Sequence, residues 1–308
     1  MTEIPTIGDT RAPAKRTRGA VRETTATRSH PVITVVTGII AVAWLLPLLG
    51  VLVTSFRSKA DVDATGWWTA LANPFGQSWT FDNFSQAWDA LDVGTSLWNT
   101  FAVTIPATVL PILVAAMAAY AFTFFSFPGK EVYFAIVLGL MVVPIQLAII
   151  PVLQLFVWFG NTTGIQIVGQ YPAAWIVHAT FALPLAIYIF RNYMSTLPNS
   201  LIEAARVDGA SHFQIFWRLV LPMSVPALAS FAIFQFLWVW NDFLVAAIFI
   251  QSGPHAVLTQ GLYGLLGQYG QGWPRVAAGS FITLVIPLVL FFALQRYFVR
   301  GLTAGSVK

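Results

Sequence analysis

The chain has 308 residues, of which 57% are apolar, 15% aromatic and only 9% charged. A soluble domain carries about 25% charged residues; with a mean hydropathy of +0.73, this composition excludes a water-solvated surface and points to a lipid bilayer as the solvent. The formal net charge of +4 is small, and the lack of cysteine excludes disulfides, thiolate catalysis and cysteine-ligated metals.

Residues 1–31 are rich in Thr, Ala, Arg and Pro and show no apolar period, so they read as a disordered basic tail carrying Arg11, Lys15, Arg16, Arg18, Arg22 and Arg28. A basic run of this kind is compatible with nucleic acid, but its place before an apolar helix makes it a topology signal instead. The tail does not have the pattern of a cleavable signal peptide. A bilayer core takes about 20 apolar residues per helix, and six runs meet that length: residues 32–56, 96–125, 132–159, 173–194, 225–250 and 276–298. The first run and an outer loop occupy 32–95, five further crossings occupy 96–300, and 301–308 form a short tail. The loop from Arg57 to Gly94 holds Trp67, Trp68, Trp79 and Trp88. Trp prefers the membrane interface by default; contact with an external partner is the alternative.

Six crossings put both termini on one side, and Lys and Arg decide which side. The tail side holds the six basic residues above together with Lys130, Arg191, Arg206, Arg218, Arg296, Arg300 and Lys308, whereas the opposite side has only Arg57, Lys59 and Arg275. The chain is therefore expected to be an all-α, multi-pass protein of the cell membrane with both termini cytoplasmic. Pro47, Pro106, Pro111, Pro144, Pro151, Pro184 and Pro287 fall within the runs. Each removes a backbone donor and kinks its helix, and the freed carbonyl needs a partner from a neighbouring helix or water.

The longest polar interruption after the first loop contains Glu203-Ala204-Ala205-Arg206, a strong helix former, then Gly209, then an apolar stripe of Phe213, Phe216, Trp217 and Val220 closed by Pro222. This reads as a helix–turn–helix on the cytoplasmic membrane surface between crossings four and five. An ordinary interfacial linker gives the same amphipathic pattern. The spacing is more specific. Glu-Ala-Ala, three residues, Gly, nine residues and then Ile-x-Leu-Pro is the pattern of ABC importer permeases, and Glu203, Ala204, Ala205, Gly209, Leu221 and Pro222 fall on it, with Leu219 where Ile is usual. The chain also resembles carbohydrate-type permeases at Asn99-Thr100, Ala118 to Phe122, Phe127 to Lys130, Pro144-Ile145-Gln146, Trp240 to Phe243 and Gln295 to Leu302. Its likeness is greatest to the smaller permease of maltose and α-glucoside importers.

That resemblance implies a heteromeric machine: a second permease subunit, two cytoplasmic ATPase subunits and an extracytoplasmic sugar-binding protein. No Gly-x-x-x-x-Gly-Lys-Ser/Thr phosphate loop is present, so the chain is expected not to be an enzyme; ATP is hydrolysed by the partner subunits and no cofactor or metal is bound by this chain. A short helix over 204–212 would dock on the ATPase, with Glu203 and Asp208 either pairing with its basic residues or capping local helices. The expected function is import of a sugar, such as an α-glucoside or other oligosaccharide.

Inside the crossings Asp242 is the acidic group, and Gln235, Trp238 and Asp242 share one face if the helix is continuous; with Asn241 they are candidates for the translocation path. Satisfying a broken helix is the competing role. His178 lies mid-crossing and reads as a packing residue. Glycines 261, 264, 267 and 270 suit a closely packed short helix or a flexible loop. The tail after Arg296 resembles tails that reach the ATPases. An ion-coupled secondary sugar carrier is the rival class, disfavoured by the scarcity of intramembrane ionisable groups; a permease for a non-sugar solute is the other alternative.

Overall fold

The computed structural model describes residues 31–267 and 272–304, with side chains to Gln295. The N-terminal tail expected over 1–31, Gly270 and the last residues 305–308 lie outside the described residues, save Pro31. The chain divides into two compact units, 1–48 and 49–308. The described residues form helices only, apart from one isolated bridge between Arg57 and Trp79.

In order the helices are α1 (Pro31–Ser55), α2 (Lys59–Ala64), α3 (Trp67–Ala72), α4 (Asp82–Ala90), α5 (Val93–Phe124), α6 (Lys130–Leu140), α7 (Ile145–Thr163), α8 (Tyr171–Met194), α9 (Asn199–Val207), α10 (His212–Ile215), α11 (Leu221–Met223), α12 (Val225–Trp240), α13 (Leu258–Leu265) and α14 (Trp273–Ala304). A π-helical turn, Phe216–Val220, joins α10 to α11. Among the described residues, five helices are long and apolar enough to cross a membrane: α1, α5, α7, α8 and α14. A sixth span is gained if His212–Met223 and Val225–Trp240, bent by 70° against each other, count as one.

Two of the expected continuous runs are broken. The run 132–159 splits into α6 and α7 at residues 141–144, where Pro144 caps α7 rather than kinking a helix from within. Proline disfavours a helical conformation in the residue before it, so the break falls there. The run 225–250 stops at Trp240, and helical structure resumes at Leu244.

Helices α5 and α8 form the centre. They carry Ala107, Ala115, Ala116 and Ala119 on one side and Ala173, Ala174 and Ala186 on the other, all buried. Small residues let membrane helices approach closely, where dispersion contacts drive association. One core cluster joins α5 and α8 to Ile202, Ile215, Phe216 and Phe231; another joins them to Ile149, Phe249 and Val257.

Three of the intrahelical prolines have a replacement donor. Pro106 cannot donate to the carbonyl of Ala102, and the Trp175 indole donates there instead at 2.8 Å. Pro111 leaves Ala107 free, and Gln235 Nε2 donates to it at 3.3 Å. Pro287 leaves Thr283 free, and the Trp240 indole donates at 3.3 Å. Each cap comes from a neighbouring helix, as lipid requires.

The first loop is organised by Arg57, which charge counting treats only as a topology residue. It is fully buried. Its guanidinium donates to Gln77 Oε1 (2.9 Å), to the carbonyls of Thr65 (3.1 Å) and Asp61 (2.9 Å) and to Thr65 Oγ1 (2.5 Å). Asn83 closes the arrangement by donating to the carbonyls of Ser55 and Arg57. The Ser78 backbone N–H, with help from Ser58 and Arg57, holds the Asp61 carboxyl below the usual carboxylate range. A depressed folded-state value stabilises the loop above about pH 4 and is lost as pH falls through it. Trp67 packs on Gly50, where a Cβ would lie 2.8 Å from its indole nitrogen, while Trp68 and Trp88 are exposed.

Two predictions follow from these bonds. Trp175→Phe keeps the ring and loses the donor, so it is expected to destabilise the chain by about 1 to 3 kcal/mol, the cost of an unpaired buried acceptor. Pro106→Ala restores the missing N–H, so the double variant should recover that loss in a thermal double-mutant cycle. Arg57→Met removes the donor to the Asp61 and Thr65 carbonyls and to Gln77 and should make residues 57–92 the first site of proteolysis, with the remainder of the chain protected.

Candidate functional site

Two places concentrate the sequence-predicted residues. The first is the connection between α8 and α12. Helix α9 begins at Asn199 and ends at Val207, earlier than the helix expected over 204–212. It closes in a Schellman turn: Gly209 N–H bonds to the Arg206 carbonyl and Ala210 N–H to that of Ala205, with Gly209 at φ +81°. Nothing lies within 4 Å of a Cβ built on Gly209, so the glycine serves the sharp turn and leaves open space beside it. The next helix is started by Ser211 and Gln214, which bond reciprocally. Local capping is thus supplied by other residues. Among the described residues, the carboxyl groups of Glu203 and Asp208 make no hydrogen bond or ion pair, and both residues are exposed with Ala204, Gly209 and Pro222. Ala205 and Leu221 are half-buried.

The expected apolar stripe is corrected in part. Ile215, Phe216 and Val220 are buried, while Phe213 is 73% exposed and Trp217 40%. Ile215 takes the place of Phe213 and Trp217 in the buried set, beside Phe216 and Val220, which remain four residues apart on one face. The segment is seated on α5: Tyr120 Oη and His212 Nδ1 are 3.1 Å apart, and Phe125 and Phe216 pack edge-on against the His212 and Tyr120 rings respectively. At the bend between α11 and α12, Ser224 is buried.

The second place is a cavity of about 370 Å³ between α7, α8 and α12. Gln146, His178 and Gln235 supply its polar groups, and Phe181, Phe234 and Trp238 supply aromatic surface. Gln235 and Trp238 therefore meet as the spacing predicted. Gln235 serves a double purpose, since its amide N–H also caps Ala107. Asp242 does not join them. The helix ends at Trp240, so the face that spacing assigned to Asp242 does not continue. Instead Asp242 Oδ1 accepts from Val245 N–H at 2.7 Å and caps the helical turns that follow the break. Asn241 is exposed and donates to the Leu237 carbonyl of its own helix. Gln146 was missed as a cavity residue; an amide beside Pro144 within an apolar run was the available signal. Among the described residues no cluster of three or more His, Asp or Glu is placed to hold a metal.

On the opposite side of the break, Asn99 donates to the carbonyls of Pro254 and Ala256 and accepts from Tyr171, and Thr100 Oγ1 accepts from Leu258 N–H. These bonds tie the 251–258 loop to α5. Of the glycine series, Gly261 packs on Leu91, Gly264 faces open space and Gly267 takes φ +71°.

Long apolar helices flanking an open cleft, with an amphipathic segment folded out between two of them, are the architecture of a polytopic membrane protein. The chain belongs to the family of inner membrane components of binding-protein-dependent transport systems, whose family model matches residues 111–304. It is 43% identical over 298 residues to the osmoprotective compounds uptake permease protein GgtD of Synechocystis sp., covering 96% of this chain and 97% of that one. It is 53% identical over 230 residues to the α-glucoside transport system permease protein AglG of Rhizobium meliloti, covering 74% of this chain and 60% of the relative. The fold matches a chain of a bacterial ABC transporter involved in import of the acidic polysaccharide alginate, with a TM-score of 0.65 at 22% identity over 87% of this chain and 95% of that one. The chain is thus a multi-pass permease subunit of an ABC importer rather than an enzyme.

Proposed function

We infer that this permease imports a sugar, with both termini in the cytoplasm and the 199–223 connection as the docking point for the partner ATPases. The observation that carries this reading is the exposed turn at Glu203 to Gly209. Its two carboxyl groups are unpaired among the described residues, its glycine leaves room for an approaching surface, and local helix capping is done by other side chains. A pair of unpartnered carboxylates beside a small-residue turn suits a basic-lined groove. The excess of Lys and Arg in connections on this side supports a cytoplasmic setting.

The cavity between α7, α8 and α12 is the candidate stretch of the translocation path. Its aromatic faces suit the apolar faces of sugar rings, and Gln146 and Gln235 suit hydroxyl groups. The name of AglG supports an α-glucoside or related oligosaccharide. The working assembly would be this chain, a second permease, two ATPases and an extracytoplasmic binding protein that delivers the solute.

Gly209→Val forces a branched residue into the left-handed region and fills the open space beside the turn. In the assembled transporter it is expected to reduce ATPase co-purification and to cut transport at least tenfold; normal values for both would sink the docking assignment. Uptake should stop on ATP depletion, and uptake that survives depletion but collapses with an uncoupler would instead identify an ion-coupled carrier. A ligand screen on the cognate binding protein, covering α-linked disaccharides and osmoprotective solutes, identifies the cargo.

A further inference from the structure

Among the described residues, His178 lines both the open cleft between α7, α8 and α12 and a small enclosed cavity behind it. One face of its site opens on the 370 Å³ cavity. The other opens on a cavity of about 10 Å³ lined by Thr100, Thr104, His178 and Asp242 among mostly apolar neighbours. That volume is room for about one water molecule. The Thr100 hydroxyl is already engaged, donating to the Ser96 carbonyl and accepting from Leu258 N–H, which leaves three polar groups for a water. Thr104 is 1% exposed, and its hydroxyl has no partner among the described residues. His178 Nε2 lies 3.9 Å from Asp242 Oδ1, too far for a direct hydrogen bond. Asp242 is itself fixed, because its Oδ1 accepts from Val245 N–H and its carbonyl accepts from Thr259 Oγ1 at 2.9 Å.

We propose that the small cavity holds one water bridging Thr104, His178 and Asp242, and that this bridge orients His178 as a solute-selecting group in the wall of the large cavity. Buried waters satisfy otherwise unpaired polar groups and typically make about three hydrogen bonds; α5, α8 and the break after α12 supply one group each. A neutral imidazole has one donor and one acceptor nitrogen. With Nε2–H committed through the water to the fixed carboxyl, Nδ1 is left as an acceptor. An acceptor held in place among aromatic rings discriminates between solutes by where they present a hydroxyl donor, and a buried polar group left unpaired penalises the wrong one. His178 is then a solute-contacting residue, and Thr104 and Asp242 are positioning residues. This inference rests on the reading of the large cavity as part of the translocation path.

The test uses the complete transporter in proteoliposomes with labelled maltose, sucrose and trehalose as probes. His178→Leu is expected to lower kcat/KM for uptake tenfold or more. His178→Gln keeps a donor and an acceptor but moves them; it should retain uptake while shifting the preference between two of the sugars by at least threefold. A role in packing alone would slow all sugars in proportion, so an unchanged preference in His178→Gln, or full uptake in His178→Leu, overturns the proposal. If His178→Leu does not assemble, the milder pair decides. Thr104→Val should reduce uptake severalfold and Thr104→Ser should restore it, whereas parental uptake by Thr104→Val overturns the bridge. A parent complex that imports a non-sugar solute and no sugar refutes the sugar assignment, and this inference falls with it.

Discussion

A proline inside a membrane helix leaves the carbonyl four residues before it without a donor, and lipid offers no replacement. At three prolines of this chain that debt is met by side chains of neighbouring helices: Trp175 for Ala102, Gln235 for Ala107 and Trp240 for Thr283. The three bonds tie α5 to α8, α5 to α12 and α14 to α12. They fix which helix faces which along a bundle whose apolar surfaces are otherwise interchangeable, because hydrophobic burial gives little preference between lipid and protein as a neighbour. The alanine columns of α5 and α8 then bring the backbones together at the centre.

The broken helices are a second expression of the same constraint. Residues 141–144 and 241–243 interrupt two apolar runs, and the breaks border the open cleft and the small cavity respectively. At 242 the carboxyl does the work of capping the resumed helix. Polar groups that look anomalous in an apolar run thus have a structural task first, and face the cavity with what remains. Gln235 shows this most plainly, with an N–H committed to Ala107 and the side chain still in the cavity wall.

Much of the architecture was legible in the sequence. The apolar runs marked the spans, and the Glu203 to Pro222 spacing marked the segment that folds out. What was not legible depended on breaks shorter than the window that finds a span. Averaging over some twenty residues hides three or four non-helical ones, so residues 225–250 read as one helix and Asp242 was placed on the face of Gln235 and Trp238. The 213–220 stripe holds at Phe216 and Val220 and fails at Phe213 and Trp217, because spacing alone does not show which apolar residues meet the core, and here Ile215 does. Arg57 was invisible in another way. Counting charges treats every arginine as a solvated cation, and only the fold shows that this one is buried among carbonyls.

The seat of the connecting segment has a consequence for how such proteins can be recombined. His212 and Phe216 rest on Tyr120 and Phe125, which belong to a helix that ended some ninety residues earlier in the chain. Residues 199–223 are therefore not a self-contained cassette. Grafting them between related permeases would carry the outward surface but leave its foundation behind, and a working chimaera would have to transplant the matching end of α5 as well.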